Sequence, residues 1–560
     1  MSADAESFDR FAQSWRAYAL IALIALASAL FGTGAVPVMD RDEARFAQAS
    51  RQMVESGDYV RIRVQDEERS KKPVGIHWLQ AASVRVFEPF AHRLNAIWMY
   101  RVPSALGALM AALATLWAGT RLIGARAAFW GAALFASSVL LGFEGMTAKT
   151  DAVLCGFTAL TLAAAAQLHM GAERPRALAL VFWAALGAAI LIKGPIAPLV
   201  VALTLVPLGV WERRWRWMKP LAWWPGPLLM LLIVLPWMIA IYFATDGRFF
   251  AEAIGHDLGG KVTGGSEGHS GWPGYHTLLL PLLIFPATFA LPFAARLMWR
   301  TLRAPRAEET LRGLRFVIAW ALPSFLMFEL TPNKLPHYTL PVYGAIALLC
   351  GAGLAAAFEG GARVTKWIGV ALSTLVGAAF VALITQAAPL VSVEMRGLVL
   401  ALEIGAAIAV IATLLVFAFV SKLAPRVAAG VICALLLSFS VRQVLLPRAD
   451  GVQPTGQAVA ALERARLSTR PLWVIGYRET SLVFSTRTDA RLTSAEDAGQ
   501  HAAPGDALIV DQEDLSALQG ALNSRDLAFA PSGEPVRARN IGNGDRVTLT
   551  IGTVQLAARN

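Results

Sequence analysis

The sequence predicts a mainly α, polytopic membrane protein with a small α/β domain at its C-terminus. Composition is the first reason. Of 560 residues, 56% are hydrophobic and only 16% are charged, whereas soluble domains carry about 25% charged residues. Mean hydropathy is +0.52. The second reason is pattern. Apolar runs recur from Ala17 to about Leu446, and each approaches the roughly 20 residues that cross about 30 Å of hydrocarbon as a helix. The third is where the pattern stops. After Arg448 the long apolar runs end, so residues 1–447 read as a transmembrane domain and 448–560 as a soluble one.

Taken in order, the polar and mixed-charge start, Met1 to Arg16, leads into a first apolar run without a small-residue cleavage site. That run reads as a membrane helix and not as a removable signal peptide. About thirteen spans follow from the hydropathy, centred near Ala27, Leu109, Ala133, Leu160, Ala184, Leu203, Leu232, Ile284, Ser324, Ile346, Ser373, Ala409 and Leu436. The pair around Ala184 and Leu203 is divided only by Lys193-Gly194-Pro195. With the N-terminus in the cytoplasm, every short cytoplasmic loop is basic, from Arg121 and Arg126 through the arginines between Arg296 and Arg315 to Lys422 and Arg426. That satisfies the positive-inside rule. It also explains the net charge of +11 without nucleic acid. Cys155, Cys350 and Cys433 lie inside apolar runs, with no metal-ligand spacing, and read as small core residues.

Two external segments differ from the rest. The stretch 39–98 is long, and 43–55 and 74–87 show helical periodicity, as expected of helices lying along the membrane surface. The stretch 245–276 is rich in Gly and His, an expected flexible loop and lid over a substrate. In the tail, strand-like runs at 472–477, 481–485, 507–510 and 546–556 alternate with helical patterns at 456–465 and 515–522. That suggests a small α/β domain.

Taken singly, the charged residues at the external side have ordinary explanations. Met39-Asp40-Arg41-Asp42-Glu43-Ala44-Arg45 could be a solvated helix start, Lys71-Lys72-Pro73 a headgroup anchor, and Arg101 a snorkelling side chain. Their distribution is less ordinary. The positive-inside rule predicts few basic residues outside, yet Lys72, Arg101, Lys193 and Lys334 gather there beside Asp42, Glu43 and Asp151. Clustered cations suit a phosphate, and the carboxylates suit an amine, a metal or a developing positive charge. His256, His269 and His276 share one loop. A divalent metal on His256 and His269 is therefore an open expectation, with no cofactor otherwise implied.

Several motifs in joint order carry a resemblance. They are Asp42-Glu43-Ala44-Arg45-Phe46-Ala47, Met53-Val54-Glu55-Ser56-Gly57-Asp58-Tyr59-Val60, Lys72-Pro73 before Trp78-Leu79, and Arg101-Val102-Pro103-Ser104-Ala105-Leu106. Thr150-Asp151, Lys193-Gly194 and Lys334-Leu335-Pro336-His337-Tyr338 continue it. Together they resemble the ArnT-like lipid A aminoarabinose transferases, bacterial membrane glycosyltransferases related to protein O-mannosyltransferases. The resemblance covers the membrane part, about four-fifths of the chain.

It implies a GT-C fold with about 13 transmembrane helices and a periplasmic C-terminal domain, in the bacterial inner membrane with the active site on the periplasmic side. It further implies a monomeric glycosyltransferase that moves 4-amino-4-deoxy-L-arabinose from undecaprenyl phosphate to a lipid A phosphate, giving polymyxin resistance. Partners would be the lipid-linked donor, lipid A and membrane lipids, with no nucleic acid. The implied catalytic carboxylates are Asp42, Glu43 and Asp151. The implied substrate-binding residues are Lys72, Arg45, Arg101, Lys193, Lys334, Tyr338 and His256. One departure stands out: Lys71 occupies the place where many relatives carry a glutamate. Transfer to protein and lipid transport are the rival readings, the second weakened by the lack of an internal repeat.

Overall fold

The computed structural model of the chain describes residues 3–258, 271–360, 362–540 and 544–557. It opens with α1 (Ala3–Ala12) and α2 (Trp15–Leu30), bent by 65° at Gln13 and Ser14. Two helices outside the bundle follow, α3 (Asp42–Ser56) and α4 (Gly75–Ala91), joined by a short hairpin of β1 (Arg63–Val64) and β2 (Glu67–Glu68). The bundle resumes with α5 (Ile97–Leu122), α6 (Ala125–Ala136), α7 (Val139–Gly145), α8 (Asp151–His169), α9 (Pro175–Lys193), α10 (Ile196–Glu212) and α11 (Pro225–Ala244). It closes with α12 (Tyr275–Leu283), α13 (Leu291–Arg303), α14 (Arg312–Leu330), α15 (Leu340–Gly360), α16 (Arg363–Gln386), α17 (Arg396–Phe419) and α18 (Leu423–Ser438).

Every expected span centre but one falls on a helix of this bundle, while Ile284 sits in the turn where α12 and the following helices break by 117°. Among the described residues nine helices are long and apolar enough to cross a membrane, three bent pairs could each form one more, and α10 is a shorter apolar helix. The small-residue composition permits close packing. A Cβ on Gly107 of α5 would stand 2.6 Å from the Val153 backbone of α8, and one on Gly156 would stand 2.6 Å from the Gly107 carbonyl. These two glycines let the helices approach backbone to backbone, the usual device where lipid removes the hydrophobic drive between helices.

The tail forms a mixed sheet in the order β4-β3-β5-β8-β6, with β7 also paired to β8. Its strands are β3 (Leu472–Ile475), β4 (Arg491–Thr493), β5 (Ala507–Asp511), β6 (Leu527–Pro531), β7 (Val536–Arg539) and β8 (Arg546–Leu556). The helices are α19 (Pro454–Arg464), α20 (Thr480–Ser485), α21 (Ala495–His501) and α22 (Leu515–Asn523). β3 is parallel to both β4 and β5, while β8 runs antiparallel to its partners. Leu472 and Val474 pack on one face, and Trp473 and Ile475 on the other.

One expected strand is a helix. Residues 481–485 lie in α20, which docks on α3. A five-residue apolar run has no period of its own, and tertiary contact decides it. Phe484 meets the Tyr100 ring edge-on at 5.1 Å, and its carbonyl accepts from Arg51 Nη1 at 2.8 Å.

Candidate active site

The charged residues converge at the end of the bundle covered by α3, α4 and the C-terminal domain. Local sequence explains how they arrive. The Ser137 hydroxyl donates back to the Ala133 carbonyl at 2.9 Å, Ser138 is extended, and the chain bends by 56° into α7. That bend delivers Glu144. Asp151 begins α8, where a carboxylate suits the positive end of the helix dipole, and Lys193 ends α9, where a cation suits the negative end. Gly194 at φ +61° stops α9 there.

Lys193 Nζ meets Asp151 Oδ1 at 2.5 Å, and Lys149 Nζ lies 3.1 Å from Glu144 Oε2. His337 joins the two pairs, with Nδ1 3.7 Å from Glu144 and Nε2 3.8 Å from Asp151. Burial alone would pull the Lys149 ammonium down, but Glu144, Asp151 and Asp42 hold it above the ordinary lysine range.

On one side this cluster opens into a cavity of about 650 Å³ lined by Lys72, Asp151, Lys193, His337 and Tyr338. Its remaining walls are largely apolar, with Leu154, Ile190, Met238, Phe249, Phe250 and Phe328 among them. Lys193 Nζ also lies 5.6 Å over the Tyr338 ring. On the other side is a recess of about 230 Å³, lined by Asp40, Asp42, Glu43 and Lys149, with residues 452–456 as its far wall. Asp42 is exposed there, while Glu43 is buried. Between them Arg41, φ +62°, holds a conformation uncommon for a side-chain-bearing residue.

The remaining expected residues stand elsewhere. Arg101 is fully buried and joins Glu43 through both Nε and Nη2 at 2.8 Å. Its other contacts are the carbonyls of Thr33, Val36 and Pro37 at 2.6 to 3.0 Å. Glu43 also accepts from the N–H groups of Met39 and Ala148. The pair therefore ties the end of α2, the start of α3 and the turn before α8 together. Lys334 donates to the Phe328, Glu329 and Thr331 carbonyls and so caps α14. Arg45 lines a separate polar groove of about 1550 Å³ between the β1–β2 hairpin and the C-terminal domain.

The side chain of His256, and all of His269, lie outside the described residues. Among the described residues the grouping with metal-like spacing is instead Glu144, Asp151 and His337. Both its carboxylates already carry an ammonium partner, so the set is charge-compensated within the protein. Glu144, Lys149 and His337 are absent from the sequence-derived site. A glutamate within an apolar run, costly to bury unless paired, was the available signal for Glu144.

The chain resembles known proteins along most of its length. A family model described as dolichyl-phosphate-mannose-protein mannosyltransferase matches residues 71–239. An undecaprenyl phosphate-alpha-4-amino-4-deoxy-L-arabinose arabinosyl transferase of Shewanella sediminis is 28% identical over 363 residues, 62% of this chain and 60% of that protein. The protein of the same name from Pseudomonas paraeruginosa is 30% identical, over 56% of this chain and 55% of its own length. The matched part thus spans little more than half of each curated relative. The crystal structure of ArnT from Cupriavidus metallidurans bound to undecaprenyl phosphate superposes with a TM-score of 0.75 at 21% identity, covering 97% of this chain and 99% of that one. Its apo form gives 0.74, covering 95% and 97%. These matches bear out the resemblance read from the sequence, and the expected fold with it.

Proposed function

We propose that the chain is a membrane glycosyltransferase that transfers 4-amino-4-deoxy-L-arabinose from undecaprenyl phosphate to a phosphate of lipid A. The observation that carries this reading is the cavity in which Lys72 and Lys193 face largely apolar walls. An isoprenoid tail needs the apolar lining, and its phosphate needs the cations. The relatives named for undecaprenyl phosphate-aminoarabinose transfer and the undecaprenyl phosphate bound in the similar crystal structure support the donor. The basic cytoplasmic loops favour an inner-membrane protein with this site on the periplasmic side.

In this reading Lys72 and Lys193 bind the donor phosphate, with Tyr338 and His337 beside it. Asp151 holds Lys193 in place. Asp42 faces the recess, where it orients the acceptor or meets the sugar amine. An oxygen of the acceptor phosphate attacks C1 of the sugar, the new C1–O bond forms, and the bond to the donor phosphate breaks. The electron pair leaves with undecaprenyl phosphate, whose extra charge the lysines stabilise. The acceptor is already anionic, so no proton need be removed, and direct attack inverts the anomeric centre. Glu43, Arg101 and Lys334 act through architecture, and Arg45 belongs to the groove beside the C-terminal domain.

The test is transfer from lipid-linked aminoarabinose to lipid A, read by mass spectrometry. Wild type adds the sugar. Asp42→Asn and Lys72→Ala each lower the rate by about a hundredfold or more. Full activity in Asp42→Asn removes its role, and unchanged donor affinity in Lys72→Ala removes the phosphate site. The name of the matching family model makes a protein hydroxyl the alternative acceptor. Intact lipid A profiles with lost protein glycosylation in a deletion strain would favour it.

A further inference from the structure

Beyond the cavity and cluster, the contact that carries most is the one between Asp40 and the C-terminal domain. Thr455 of α19 donates to Asp40 Oδ1 at 3.2 Å, Tyr477 after β3 donates to Oδ2 at 3.1 Å, and Ser481 of α20 donates to Oδ1. All three hydroxyls are buried. Each hydroxyl has a single proton, and because Thr455 also lies 2.7 Å from Ser481 and 3.2 Å from Tyr477, the three share their donations between Asp40 and one another. Both carboxylate oxygens of Asp40 are therefore occupied by a cradle whose members fix each other.

We propose that this cradle makes the C-terminal domain part of the catalytic apparatus, with Thr455, Tyr477 and Ser481 acting through Asp40 as positioning residues for Asp42. The inference rests on the transferase reading above. Only Arg41 separates Asp40 from Asp42, and Arg41 sits at φ +62°, a conformation that persists in a side-chain-bearing residue only where surrounding contacts hold it. The same domain supplies residues 452–456, which line the recess together with Asp42. The domain is also attached through contacts outside the cradle. Arg51 bonds the Phe484 carbonyl, Thr488 bonds Glu55 at 2.7 Å, and Asn95 bonds the Ser485 carbonyl at 2.8 Å. With these contacts kept, breaking the cradle is expected to leave the domain docked, which separates positioning from folding.

The experiment uses the full-length chain in detergent, with Tyr477→Phe combined with Ser481→Ala, and Asn95→Ala as the control outside the cradle. Undecaprenyl-phosphate aminoarabinose and lipid A are the substrates. For the double variant we expect kcat to fall about tenfold or more, donor KM to stay within about twofold, and the melting temperature to hold. Asn95→Ala removes an attachment contact outside the cradle and the recess and keeps wild-type kcat. Amide hydrogen exchange at residues 39–43 rises in the double variant, while the rest of α3 exchanges as in wild type. A double variant with wild-type kcat overturns the inference, as does a loss explained entirely by raised KM or lowered melting temperature. If wild type itself transfers no sugar, the transferase reading falls and takes the inference with it. If wild type transfers and the double variant matches it, the inference alone falls.

Discussion

Glu43 and Arg101 are 58 positions apart in sequence and meet in a two-bond ion pair with almost no solvent access. Such a pair is costly to break because the surviving partner stays buried and charged. Arg101→Ala is expected to cost about 3–5 kcal/mol, seen as a large drop in melting temperature in detergent and poor yield. Arg101→Lys recovers little, since an ammonium cannot reproduce the forked contact with both carboxylate oxygens.

A different residue contributes to acid sensitivity. His77, on α4, is buried against Ser50 at 2.8 Å, and burial first, then the nearby Arg69 charge, lowers its pKa to about 3. An unfolded histidine titrates near 6.5, so the unfolded chain binds the extra proton between those values. The stability from neutral His77 is complete above about pH 6.5 and is lost as pH falls toward 3. Going from pH 6.5 to 5 should remove about 2 kcal/mol at most, and melting curves of His77→Gln should show a weaker decline over that range.

Among elements, the approach of α4 to α9 matters most. A Cβ on Gly75 would lie 2.7 Å from the Leu191 carbonyl and 3.1 Å from the Ile192 side chain. Gly75 follows Lys72 by three positions, and Leu191 precedes Lys193 by two. The contact therefore spaces the two cations that line the cavity. Gly75→Ala is expected to cost about 1–3 kcal/mol from overpacking, read as a lower melting temperature, and to weaken donor binding, read by titrating undecaprenyl phosphate against the variant.

The elements themselves were largely legible: apolar runs marked the spans, and helical periodicity marked α3 and α4. Lys72, Asp151, Lys193 and Tyr338 were legible as a group, and they line one cavity. What could not be read was which charge satisfies which. Arg101 looks like a phosphate ligand until Glu43 is seen on it, and Lys334 looks like one until its three carbonyls are seen. Partner choice is set by tertiary contacts tens of residues apart, which period and composition do not encode. Residues 481–485 were misread for the same reason, since docking on α3 and not local pattern makes them helical.

For the whole molecule, a lipid phosphate that fills the cavity binds the folded state alone and should stabilise it by mass action. Undecaprenyl phosphate at a hundred times its Kd should add about 2.7 kcal/mol. Its effect on melting temperature should vanish when Lys72 and Lys193 are both changed to Ala. An equal shift in that double variant would place the lipid elsewhere.

The contact at Asp40 also orders events in time. Its three partners lie 415, 437 and 441 residues downstream. At about 5–20 residues per second, the ribosome needs roughly 20–90 s after Asp40 to make them. Throughout that interval the bundle can insert and pack, but the recess stands without its far wall. The cavity lined by Lys72 and Lys193 is therefore synthesised before the recess beside Asp42 gains residues 452–456.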